Sequence, residues 1–89
     1  DEFANKVKGL NEQYFVEIQG HTDDTGGPKY NDDLGQHRAD TVRRYLSRQD
    51  SVPLNRMSTI PYGDTLPAAP NKTKTGRAKN RRVVLVVLE

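Results

Sequence analysis

Residues 14–60 run as an alternating strand, a polar loop, a long amphipathic helix and a second short strand. That succession restricts the chain to a β-α-β crossover with its helix laid on a sheet. In Tyr14-Phe15-Val16-Glu17-Ile18-Gln19-Gly20, Tyr14, Val16 and Ile18 fall on one side and Glu17 and Gln19 on the other, the period-two pattern of a half-buried strand. Gly20 releases the chain into His21-Thr22-Asp23-Asp24-Thr25-Gly26-Gly27-Pro28, too rich in turn residues for regular structure. Asn31 is placed as the N-cap of a helix reaching about Gln49, with Asp32 and Asp33 in a first turn whose dipole favours acids. Residues 56–60 read as the second strand, Pro61 limits its continuation, and Pro67 and Pro70 bracket a loop.

The flanks complete the layers. A short helical turn is expected at Thr75 to Asn80. Val83 to Leu88, continuously apolar and largely β-branched, is placed as an interior strand covered on both faces. Phe3, Ala4, Val7 and Leu10 recur at helical spacing, so residues 2–11 read as an amphipathic helix. The expectation is one domain over residues 1–89, an α/β two-layer sandwich with helices packed on a small mixed sheet. A chain of this size supports a single core and one site.

Composition removes several functions. Without cysteine there is no disulfide framework, thiol catalysis or cysteine zinc site. No apolar run approaches the roughly 20 residues needed to span a bilayer, so the domain is not expected to insert in a membrane. The net charge of +2 is unevenly spread: residues 70–82 carry Lys72, Lys74, Arg77, Lys79, Arg81 and Arg82 without an acid, which leaves eight basic residues against twelve acidic ones.

On a helical wheel Leu34, Ala39, Val42, Tyr45 and Leu46 share one arc of about 140°, which faces the core. Arg38 is the one charged residue inside that arc. A guanidinium against an apolar face stays charged, so its donors must be met by carboxylates, carbonyls or a ligand. The nearest acids, Asp23 and Asp24, lie on the loop at the carboxyl end of the first strand, the usual place for a binding crevice in such sheets. A structural Asp23–Arg38 salt bridge and an open pair of opposite charges both satisfy the pattern. The rest of the loop favours the open pair: Thr22, Thr25, Asn31 and the backbone at Gly26-Gly27 add short hydrogen-bonding groups around the same spot. Such a pair complements an amino-acid zwitterion, with Asp23 taking the ammonium and Arg38 the carboxylate.

Other chemistries fit less well. Asp24-Thr25-Gly26 spells the aspartic-protease triplet, but no apolar strand leads into it and no second signature follows. His21 and His37 with Asp23 and Asp24 lack the usual metal spacing, and no cofactor is expected. The basic segment 70–82 offers charge to a nucleic acid without interleaved aromatic residues on which bases could stack.

Several segments match a known family in order and spacing. Gly20-His21-Thr22-Asp23, Tyr30-Asn31, Leu34, Arg38-Ala39 and Val42 are followed by Tyr62-Gly63-Asp64, Pro67, Asn71-Lys72-Thr73 and Gly76-Arg77-Ala78-Lys79-Asn80-Arg81-Arg82-Val83. Over residues 14 to 88 the chain resembles the OmpA C-terminal domain family, which includes Pal and the periplasmic part of MotB. The resemblance implies a βαβα sandwich that binds peptidoglycan non-covalently through the diaminopimelate of the stem peptide, without catalysis, on the periplasmic side of a Gram-negative-type outer membrane. It assigns the ligand to Asp23 and Arg38, with Thr22, Thr25 and Asn31 as secondary contacts, and makes Gly76 to Arg82 a positively charged structural turn. Two departures stand out. Gly35 replaces the family's usual serine, a change expected to be tolerated. The family's first strand has no counterpart ahead of residue 14, and an open sheet edge makes strand exchange between two copies an expectation.

Overall fold

A computed structural model describes Phe3 and residues 14–88. In order these form β1 (Phe15–His21), α1 (Pro28–Asp50), a 3-10 turn at Leu54–Arg56, β2 (Met57–Gly63), α2 (Lys74–Asn80) and β3 (Arg82–Leu88). The expected helix at residues 2–11 lies outside the described residues except for Phe3, which is helical and packs against the core. The sheet order is β2-β1-β3, with β2 parallel and β3 antiparallel to β1. The mixed three-stranded sheet with two helices is the α/β sandwich that the alternating pattern predicts.

Val16 and Ile18 on the inner face of β1 are fully buried and form the core with Ala39, Leu46, Val52 and Met57. Val42, Val83 and Leu85 pack against them half-buried. Sheet register carries this face across all three strands, since Val16 stands beside Met57 and Val87, and Ile18 beside Thr59 and Leu85.

Four sequence expectations are corrected. Asn31 is not the N-cap: Gly27 caps α1 and Pro28 occupies the first turn, where its missing N–H is not needed. The helix therefore starts four residues early, and Asp32 and Asp33 lie beyond its first turn. Tyr45 is not core but 54% exposed. The buried face of α1 runs through Asn31, Gly35, Ala39 and Leu46 instead. β2 continues through Pro61 to Gly63, because it is an outer strand in the described sheet and a proline there need not break a ladder on both sides. β3 is likewise an outer strand of the described sheet, half-buried along its length, and β1 is the central one.

The rotation of α1 has a steric cause. Gly20 and Gly35 meet backbone to backbone: a Cβ on Gly20 would lie 1.8 Å from the Gly35 carbonyl oxygen, and one on Gly35 would lie 2.7 Å from that of Gly20. Two missing side chains let the helix settle onto the end of β1, next to the loop that leaves it. A serine at 35, as the resemblance would have it, requires the helix to stand slightly off.

α2 owes its place to one side chain. Asn80 is fully buried; its Oδ1 accepts from the amides of Ala68 and Ala69, and its Nδ2 donates to the Ala69 carbonyl and to Asn71 Oδ1 at 2.7 to 2.9 Å. Thr73 caps the helix by accepting from the Gly76 amide. Asn80→Ala is expected to leave these loop amides unsatisfied and to lower stability by about 2 kcal/mol, read as a fall in the urea midpoint at unchanged slope.

Candidate functional site

The site is built where β1 ends. The Thr22 amide donates to the Gly63 carbonyl at 2.8 Å, so the loop stays attached to β2 for one residue beyond the strand. Gly63 allows the bend with a φ of 58°, and Asp32 Oδ1 stands where a side chain would begin. The Thr22 hydroxyl, buried, donates to the Asp23 carbonyl at 2.8 Å.

Asp23 is held from two sides. Its Oδ1 accepts the Thr25 amide at 2.9 Å, an Asx turn. Its Oδ2 receives Arg81 Nη1 at 2.7 Å, with the carboxylate side chain only 11% exposed. The Thr25 amide, and next to it the Arg81 guanidinium, hold the carboxyl below the usual aspartate range, against the opposing effect of burial. Asp23 is therefore an oriented anion at neutral pH.

Arg38 reaches the same strand end. Its Nη1 donates to the His21 carbonyl at 3.1 Å, two residues before Asp23. Among the described residues no ion pair joins Asp23 to Arg38, so a structural bridge between them is not what satisfies the guanidinium. Most of its five donors are left for another acceptor.

Asn31 sits within the first turns of α1, fully buried, and its Nδ2 donates back to the Gly26 carbonyl at 3.3 Å. Its Oδ1 is buried with no hydrogen-bond partner among the described residues. An orphaned acceptor of this kind marks a place where a donor is missing. Thr25 is exposed at the loop surface. The loop and the first turn of α1 thus hold Thr22, Asp23, Thr25 and Asn31, Arg38 reaches the His21 carbonyl from the third turn of the helix, and Asp24 of the protease-like triplet is exposed.

The partners of two further residues are not legible in the sequence pattern. Arg81 was assigned to a structural turn yet supplies the cation on Asp23, 58 positions away. His21, buried, donates from Nε2 to Gln19 Oε1 at 3.1 Å when the Gln19 amide nitrogen faces Glu17, and stacks on Tyr62 with centroids 5.3 Å apart. Burial, and then nearby Arg82, push the His21 pKa below its ordinary value of 6.5. A histidine kept neutral in the fold but free to protonate when unfolded stabilises fully above 6.5 and loses that contribution as pH falls below it. Stability in urea is expected to decline from pH 7.5 to 5, and the decline to be shallower in His21→Gln.

Other chemistries find little support. Arg77 Nη1 donates to the Asn71 carbonyl and Arg82 Nη2 to that of Leu66, so the arginines of the basic segment bind their own loop and Asp23. Among the described residues no group of three histidines or acids could hold a metal.

The fold is a helix-on-sheet module with Asp23 and Arg38 at the carboxyl end of the first strand of its crossover. The chain belongs to the OmpA family, whose model matches residues 1–81. It is 47% identical over 68 residues to an outer membrane porin F of Pseudomonas fluorescens, covering 76% of this chain and 21% of the porin. To a peptidoglycan-associated lipoprotein of Pasteurella multocida it is 44% identical over 70 residues, covering 79% of this chain and 46% of the lipoprotein. The chain thus spans less than half of either curated relative. Among solved structures it resembles the peptidoglycan-associated lipoprotein of Burkholderia pseudomallei, with a TM-score of 0.88 at 37% identity over 98% of this chain and 72% of that one. The C-terminal domain of Helicobacter pylori MotB gives a TM-score of 0.88 at 32% identity over 99% and 69%.

Proposed function

We propose that the chain is a non-catalytic anchor that holds peptidoglycan through the diaminopimelate of the stem peptide. The observation that carries this is a pair of opposite charges not joined to each other: Asp23, oriented by the Thr25 amide and Arg81, and the cation Arg38, which reaches the same strand end and donates to the His21 carbonyl. An amino-acid zwitterion fits it, the ammonium on Asp23 and the carboxylate on Arg38. Thr25, exposed on the loop, adds a secondary contact, and the buried Thr22 and Asn31 hold the loop beneath it. Diaminopimelate in a stem peptide carries such a zwitterion at its free end. Relatives named as peptidoglycan-associated lipoproteins and as an outer membrane porin support a place in the envelope, and the reading places the chain on the periplasmic side of the outer membrane, where stem peptides are within reach. No described helix is long and apolar enough to cross a membrane.

The edge of β3 that is unpaired among the described residues supports a second element of the proposal, strand exchange between two copies. Val83 to Leu88 presents no proline and no charge to deter an added strand. A monomeric mass in light scattering at millimolar concentration would count against it.

The ligand assignment is tested by an NMR titration with a diaminopimelate-containing muropeptide. Amide shifts are expected to cluster at residues 21 to 38. Shifts confined to the basic segment 70–82, or none at saturating ligand, would overturn it.

A further inference from the structure

Asp23, the anionic half of the pair, does not stand alone. Its Oδ2 is engaged at 2.7 Å by Arg81, and its Oδ1 by the Thr25 amide. Each carboxylate oxygen keeps a second lone pair for a ligand ammonium, but that ammonium would approach a carboxylate already paired with a cation. Arg38 differs, since among the described residues its one hydrogen bond goes to a neutral carbonyl, at His21. Arg82, on the strand register opposite His21, adds further positive charge nearby. Asp24 is exposed on the same loop, where water screens it. The charge the site offers is therefore unbalanced in favour of anions.

We propose that Arg81 is a positioning and specificity residue of the ligand site, which orients Asp23 and weakens its hold on the ammonium so that the ligand's carboxylate on Arg38 dominates recognition. The inference rests on the zwitterion reading above and extends it to a preference: a stem peptide whose free diaminopimelate carboxylate is amidated is rejected more strongly than one lacking the neighbouring amine. Arg81 suits such a role because its side chain is 44% exposed, so it reaches Asp23 from the surface and can be replaced without opening the core.

The test compares three peptides by calorimetry or NMR titration: L-alanyl-γ-D-glutamyl-meso-diaminopimelate, its version carboxamidated at the free end, and its version with 2-aminopimelate, which keeps that carboxylate and loses the amine. In the native protein amidation is expected to weaken binding about tenfold or more and loss of the amine only about threefold. In Arg81→Gln the loss of the amine should become the costlier change, at about tenfold, while Arg81→Lys restores the native order. A shift in overall affinity alone, such as a loosened loop produces, leaves the ratio of the two penalties unchanged, and that result overturns the proposal. Failure of the unmodified peptide to bind the native protein takes down the zwitterion reading itself, and this inference with it.

Discussion

Gly20→Ala is expected to cost about 3 kcal/mol, the upper end for overpacking, and to lower the urea midpoint by roughly 2 M. The added methyl would lie 1.8 Å from the Gly35 carbonyl oxygen and 2.5 Å from its carbon. Both atoms belong to the backbone of a 23-residue helix, so no side chain can rotate away. The whole of α1 must lift from β1, and lifting it separates Ala39 and Leu46 from Val16 and Ile18. The same displacement moves Arg38 away from the His21 carbonyl, so ligand binding should weaken along with stability. Gly27→Ala is the control, because nothing lies within 4 Å of its added methyl, and it is expected to change stability by less than about 1 kcal/mol. Equal midpoints for Gly20→Ala and the native protein would show that the contact is looser than described.

Arg38→Ala is expected to weaken muropeptide binding by about tenfold or more, the loss of the dominant charge-assisted arm, and Asp23→Ala by less, about threefold from the lost ammonium contact together with whatever the loosened loop adds. The two differ in their effect on the fold. Asp23→Ala also strands Arg81 and frees the Thr25 amide, so it should loosen the loop. Arg38→Ala removes a single hydrogen bond to the His21 carbonyl and should leave the chain's thermal stability close to native. Asp23→Asn separates the contributions, since it keeps an acceptor for Thr25 but removes the charge that attracts an ammonium. Undiminished binding in Arg38→Ala would refute the assignment of the carboxylate. Undiminished binding in Asp23→Asn would show that the anionic arm contributes nothing.

Much of this could be read along the chain, because the relevant signals are local. The period-two face of residues 14–20, the polar loop after Gly20 and the long helix appear within a few residues of where they were placed. Arg38 stood out because one charge on an apolar arc is visible on a wheel. Where expectation failed, the deciding neighbour was distant in sequence. Asn31 looks like a cap because it precedes two acids, yet Gly27-Pro28 begins the helix sooner. Tyr45 looks like core because it shares the arc of Leu34 and Leu46, but the Gly20–Gly35 contact rotates that arc toward Asn31 and Ala39. Val83–Leu88 looks interior from its composition, while sheet order places it beside β1 with its other edge unpaired among the described residues.

By itself the sequence determined which segments become strand and helix, which faces are apolar, and that an anionic loop and a lone cation belong to the same crossover. These follow from periodicity and turn chemistry, which act over a few residues. Only the tertiary structure decided that Arg81 rather than Arg38 pairs with Asp23, that Asn80 holds the loop ahead of α2, and that two glycines set the seat of the helix. Those contacts join residues 9 to 58 positions apart, and no local pattern specifies them. They arise when register and packing bring particular atoms within hydrogen-bonding or van der Waals distance.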